Sequence, residues 1–271
     1  MPDPSFVLPL LLQSVLIPAG VGAALLLLPG RAGRDWPAPL AIAAGFLASY
    51  IATYHAQWSF PPHQALDWLP LVLALALCAI PAERNGAWPR RLLLSALTAA
   101  VVAWPALGSM GMGKTLLTIA AMALLTTVAW SALAGSARRP AAPMALTMVA
   151  GGAGLALMIV ASMLIGQLCG ALGVAIAVCG LLRVRRDGGF GRAALGASVL
   201  LLGALLGYAV IYAGFGLGMV ALLVAALLVD PLLKALRRNP AAALPSALLT
   251  VLPVLAVLGL AVKAMQDSGG Y

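Results

Sequence analysis

Charge is scarce in this 271-residue chain: 8% of its residues are Asp, Glu, Lys or Arg, against 63% hydrophobic residues and a mean hydropathy of +1.06. A soluble domain carries about 25% charged residues, so the sequence lacks the material for a soluble surface. Cysteine is limited to Cys78, Cys169 and Cys179, all in apolar runs with no C-x-x-C and no histidine close by. Neither a disulfide framework nor a zinc site follows. Histidine is limited to His55 and His63, both outside the predicted spans. There is no H-E-x-x-H, no G-x-S-x-G and no paired acidic motif for diphosphate substrates, which removes support for membrane metalloproteases, hydrolases and prenyl or phosphatidyl transferases. The expectation is a protein that is not an enzyme and carries no cofactor or metal. Lysine too is rare, 3 of 16 basic residues, and with so much Ala, Leu and Gly this suggests a GC-rich bacterial genome.

What the chain has in abundance is long apolar runs. A helix needs about 20 apolar residues, with a range of about 17 to 25, to cross the hydrocarbon. Ten segments qualify or nearly so: 6–28, 37–54, 65–82, 92–107, 115–135, 144–164, 168–182, 193–212, 217–233 and 241–262. The third, fourth and seventh are short. The first, in "MPDPSFVLPLLLQSVLIPAG", lacks a basic leader and an A-x-A site and reads as an uncleaved helix. Residues 144–182 form one apolar stretch too long for a single crossing, so the chain must reverse, with "GQLCG" (Gly166 to Gly170) the expected turn. The predicted fold class is all-α, a polytopic transmembrane bundle of about ten helices with short loops, forming one membrane domain over 1–271.

The basic residues test that count, because Lys and Arg in short loops collect on the cytoplasmic side. Alternating the segments puts Arg31, Arg34, Arg84, Arg90, Arg91, Arg138, Arg139, Arg183, Arg185, Arg186, Arg192, Lys234, Arg237 and Arg238 on one side, 14 of the 16 basic residues. Lys114 and Lys263 remain on the other. With Asp35, Glu83, Asp187 and Asp230 the basic side carries 14 − 4 = +10; the other side, with Asp3, Asp67 and Asp267, carries 2 − 3 = −1, which together recover the formal +9. The charge therefore implies orientation and contact with anionic lipid rather than nucleic acid. The expected location is a bacterial inner membrane, with both termini outside the cytoplasm. All six tryptophans lie in loops or near predicted helix ends, where an amphipathic ring is favoured.

"GSMGMGKT", Gly108 to Thr115, matches the phosphate-loop pattern G-x-x-x-x-G-K-[ST]. The pattern cradles a nucleotide only when a strand delivers the loop. Here apolar helices flank it on both sides, so no nucleotide partner is expected and Lys114 reads as a snorkelling interfacial lysine. "HAQWSFPPHQALDW", His55 to Trp68, is the densest polar and aromatic cluster. His63 and Asp67, four apart, would share a helix face and pair or hold a ligand if the third span begins early; the plainer reading is an interfacial turn stiffened by Pro61 and Pro62. Asp230 is the one acid within an apolar run, which makes it a functional candidate ahead of Asp67. Structurally it would cap a new helical turn opened by Pro231, with Lys234 one turn on. Gln13 and Gln167 are lesser polar candidates, suited to bonds between helices. Gly203/Gly207, Gly214/Gly218 and "AGGAG" at 150–154 predict close helix packing.

Two functions fit. One is a permease-like protein for a small neutral or apolar solute, suggested by ten spans and a possible five-plus-five inverted arrangement. The other is a non-catalytic subunit or assembly factor packed against other membrane proteins, suggested by the near absence of intramembrane charge. Convergence of Asp230, Gln13 and Gln167 on one cavity would favour the first.

Overall fold

The structure is a computed structural model that describes residues 4–28, 36–84, 88–137, 139–184, 189–236 and 243–267. Its elements are helical throughout these residues. α1 (Pro4–Leu11) passes through a π-helical turn (Leu12–Leu16) into α2 (Ile17–Leu27), followed by α3 (Pro37–Tyr54) and a 3-10 turn (Ala65–Trp68). Next come α4 (Leu69–Leu77), α5 (Ala79–Arg84), α6 (Trp88–Ala103), a second 3-10 turn (Trp104–Ala106) and α7 (Leu107–Met110). The rest are α8 (Met112–Ala134), α9 (Ala141–Val160), α10 (Met163–Val184), α11 (Arg192–Ala213), α12 (Leu217–Leu236) and α13 (Ala243–Asp267). Among the described residues nine helices are long and apolar enough to cross a membrane, and Leu217–Leu233 is a shorter apolar helix. The chain is a multi-pass helical membrane protein, and the segments that looked short reach Ala65–Glu83, Trp88–Met110 and Met163–Arg183.

α11 is the axle of the bundle. Of its span 83% is buried, against 22% for the first and last spans, so it packs on helices all round while α1, α2 and α13 present apolar faces to lipid. Close approach depends on small residues. A Cβ on Gly154 of α9 would lie 2.8 Å from the Gly166 carbonyl of α10, and one on Gly203 of α11 would lie 2.7 Å from Thr126 Oγ1 of α8. Without lipid-exclusion to drive association, such backbone contact is what holds membrane helices together.

This explains a difference from the sequence expectation. The chain reverses at Ala161–Ser162, and Gly166 and Gly170 lie inside α10, where Gly166 admits α9 and a side chain at Gly170 would meet open space. Gly214 differs too. It is the left-handed residue that ends α11 (φ +68°), with open space around it, so its glycine serves the turn and not a helix interface. Trp130 departs from the interfacial pattern of the others: it is fully buried, seated where Gly196 leaves room, under the guanidinium of Arg91 at 5.8 Å. Arg91 in turn forms a two-point ion pair with Glu83 (2.6 and 2.9 Å).

The π turn in the first span leaves one acceptor open. In its register the Gln13 carbonyl would accept from residue 18, which is a proline without an N–H. Ser49 Oγ of α3 donates to that carbonyl instead (2.7 Å).

Contacts between loops and helix ends fall into the two sets that alternate crossing predicts. At the basic end Ser136 meets Asp230, the Gly191 amide meets the Ala137 carbonyl, and Arg183 Nε meets the Gly189 carbonyl. At the opposite, charge-poor end lie the His55–Trp68 loop, the α9–α10 turn and the end of α11. Arg31, Arg34, Arg138, Arg185, Arg186, Arg237, Arg238, Asp3, Asp35 and Asp187 lie outside the described residues.

Candidate functional site

The site is built from the return of the chain after α3. Gln64, in extended conformation, caps the 3-10 turn Ala65–Trp68, and Asp67 at the third position reaches back to the cap, a reciprocal arrangement that satisfies amides the turn itself leaves open. Asp67 is buried. Its Oδ2 accepts from the Gln64 amide (2.8 Å), the His63 amide (2.9 Å) and Ser59 Oγ (3.0 Å), and its Oδ1 accepts from Tyr54 Oη (2.9 Å). One carboxylate thus ties the loop to the end of α3. Tyr54 Oη is also 3.0 Å from Gln64 Oε1, and Tyr50 Oη, one turn earlier, donates to the Leu66 carbonyl (3.0 Å).

Beneath the pinned loop is a pocket of about 340 Å³. Gln64, Ala65 and Leu66 form one wall, Ala161, Ser162 and Ile165 of the α9–α10 turn another, and Tyr208, Tyr212 and Ala213 of α11 the third. No charged side chain lines it. Tyr212 Oη donates to the Val102 carbonyl (3.0 Å), while the buried hydroxyl of Tyr208 has no partner. Its size falls in the range of about 300 to 1,000 Å³ in which small molecules bind, and its wall is mixed, apolar side chains alternating with neutral hydrogen-bonding groups. It can hold a small uncharged molecule.

The sequence-predicted residues divide between the two ends. Asp67 is the keystone of the loop, but His63 contributes its backbone amide, because residue 63 precedes the helix and the side chain is exposed. His55 is exposed as well, its Nδ1 3.0 Å from the Ile51 carbonyl. No group of three or more His, Cys, Asp or Glu suited to a metal occurs among the described residues. Gln13 donates from Nε2 to the Ala52 carbonyl of α3 (3.1 Å), a bond between helices near the same end. Gln167 is half-buried in the second turn of α10. Asp230 lies at the other end, buried, accepting from Ser136 Oγ (2.9 Å). It does not restart a helix: α12 runs through Asp230 and Pro231 without a break, and the side chain of Lys234 lies outside the described residues. Asp230, Gln13 and Gln167 therefore do not converge on one cavity.

The tyrosines are what sequence reasoning missed. Tyr50/Tyr54 and Tyr208/Tyr212 stack as tilted pairs at 5.3 and 5.9 Å, and they are four of the five tyrosines in the chain. Their shared i, i+4 spacing near span ends that alternation puts on one side was the available signal.

The phosphate-loop pattern takes another form. Gly108 lies in α7, Gly113, Lys114 and Thr115 lie in the first turn of α8, and Thr115 Oγ1 returns to the Gly111 carbonyl (2.9 Å), so the eight residues are two helix ends joined at Gly111. Compared with models of protein families, with curated proteins and with solved structures, the chain has no match, and its functional reading rests on its own geometry.

Proposed function

We propose that the protein is a permease-like membrane protein for a small neutral solute, which it binds in the pocket under the Asp67-pinned loop. The observation that carries this reading is the lining: an uncharged pocket of about 340 Å³ at the charge-poor end, walled by apolar side chains and neutral hydrogen-bonding groups from three separate segments. The loop held by the Asp67 hydrogen bonds covers the pocket from one side. No enzymatic step is proposed.

The test is extraction of the full chain from native membrane in polymer discs, with small molecules released by denaturation and identified by mass spectrometry. The wild type retains a neutral solute that Ala213→Trp, which fills the pocket from the half-exposed end of α11, does not retain. Equal retention by both proteins counts against the pocket. A second reading, a non-catalytic subunit or assembly factor, is favoured by the failure of Asp230, Gln13 and Gln167 to converge on one cavity, the polar groups of Gln13 and Asp230 bonding neighbouring helices and loops instead. A stoichiometric membrane polypeptide recovered in the discs, with no solute, would favour it.

A further inference from the structure

A second concavity lies in the membrane-spanning region, separate from the pocket. It is a groove of about 460 Å³ between α8, α11 and α12. On α8 it runs from Leu117 to Ala129, on α11 from Val199 to Ile211 and on α12 from Leu217 to Leu227. At 1.5 Å per residue these stretches are about 15–18 Å long, roughly half the ~30 Å hydrocarbon thickness. α8 and α12 enter from the charge-poor end, and beyond the groove's floor they are drawn together by the Ser136–Asp230 hydrogen bond. The groove therefore has the depth of one leaflet, is closed toward the basic end, and has α11 as its back wall. Leu117 and Leu217, at its mouth, are more than 70% exposed, which leaves it open sideways to lipid. Its lining is apolar but for Thr118 and Thr126, and Thr118 Oγ1 already bonds the Lys114 carbonyl.

Lys114 supplies the remaining element. It lies one turn above Thr118, within about 40° of it around the helix, so it continues the groove-facing stripe of α8 at the level of the membrane surface. Its side chain is exposed and makes no ion pair with a described residue. An apolar slot one leaflet deep under an unpaired ammonium matches one ligand chemistry: a hydrocarbon chain beneath a phosphate.

We propose that this groove holds one acyl chain of an anionic phospholipid from the leaflet at the Lys114 end, with the lipid phosphate on the Lys114 ammonium. The site is independent of the solute pocket, and its failure would leave that reading untouched. Gly203 and Gly207 give the groove its depth, because a side chain at either would run into Thr126 or Met122.

The test uses the full chain in vesicles with photoactivatable phosphatidylglycerol or phosphatidylcholine carrying a diazirine midway along one acyl chain. Cross-linked peptides are mapped by mass spectrometry. α11 is buried from bulk lipid, so label on Gly203, Leu206 or Val210 reports a chain inside the groove, while label on α13 reports ordinary lipid contact. The wild type labels α11 with phosphatidylglycerol about fivefold more than with phosphatidylcholine, the factor expected for one lysine at a membrane surface. Lys114→Gln brings the two lipids to parity. Ala121→Trp, at an exposed groove position, removes α11 label from both lipids and leaves α13 label unchanged. Leu124→Trp, exposed outside the groove, changes neither. Absence of α11 label in the wild type, its survival in Ala121→Trp, or an undiminished phosphatidylglycerol preference in Lys114→Gln would overturn the proposal; the lysine arm stands even if the tryptophan variant fails to fold.

Discussion

Replacing Asp67 with alanine removes the acceptor for four donors: two backbone amides and two hydroxyls. The hydroxyls have alternatives close by. Tyr54 Oη keeps Gln64 Oε1 at 3.0 Å, and Ser59 Oγ has the Pro61 carbonyl at 3.5 Å. The amides of His63 and Gln64 have none, and each buried unsatisfied group costs about 1–3 kcal/mol. Both side chains are exposed, so water reaches the amides once the carboxylate is gone, and the lower part of that range applies, about 2–3 kcal/mol for the pair. Expressed as amide hydrogen exchange, that is roughly a 30- to 160-fold acceleration at His63 and Gln64. Exchange in lipid discs with peptide-level mass spectrometry reads this directly. Asp67→Asn, which keeps one acceptor oxygen, gives a smaller acceleration, and His63→Ala gives almost none because its contribution is backbone. If His63→Ala matches Asp67→Ala, the imidazole matters and the carboxylate-tied loop is wrong. If Asp67→Ala changes nothing, the loop is held by something else.

Other perturbations have equally definite outcomes. Gly214→Ala forces a side chain into a left-handed turn and lowers thermal stability by about 1–2 kcal/mol without altering lipid labelling of the groove. Gly196→Ala drives a methyl into the Trp130 ring and costs about 1–3 kcal/mol or more, seen as a loss of folded yield that Trp130→Leu restores in the double variant. Arg91→Lys loses the two-point pairing to Glu83 and the stacking on Trp130, destabilising more than Arg139→Lys in the same denaturation assay. Lys114→Ala leaves folding intact, and neither it nor the wild type shows saturable ATP binding in equilibrium dialysis.

The bundle was legible in the sequence because crossing a bilayer imposes length and apolarity on every span, and charge in the loops reports parity. All ten predicted segments correspond to helices or to runs of helices broken by short turns. Details that depend on how helices meet were not legible. Gly166 and Gly170 look like a turn in one dimension, and only the neighbouring α9 shows that both lie within a helix and that Gly166 is a contact point. Asp230 ranked above Asp67 because apolar flanks were visible and partners were not. The structure gives Asp67 a tyrosine from the preceding span, a serine and two amides, and no local pattern announces that set. The pocket depends on three segments about 40 to 100 residues apart, 64–66, 161–165 and 208–213, which no periodicity links.

Both proposed sites require one arrangement: the pocket mouth and the Lys114 groove on the same, charge-poor face of the membrane, opposite the arginine loops. Single cysteines in a cysteine-free background, probed with a membrane-impermeant maleimide on intact cells, measure this. His63→Cys and Lys114→Cys are labelled from outside, whereas Arg139→Cys is labelled only after permeabilisation, and a reporter fused after Tyr271, which lies outside the described residues, is active only on the outer side. Labelling of His63→Cys and Lys114→Cys from opposite sides would contradict the ten-crossing bundle and the placement of both sites.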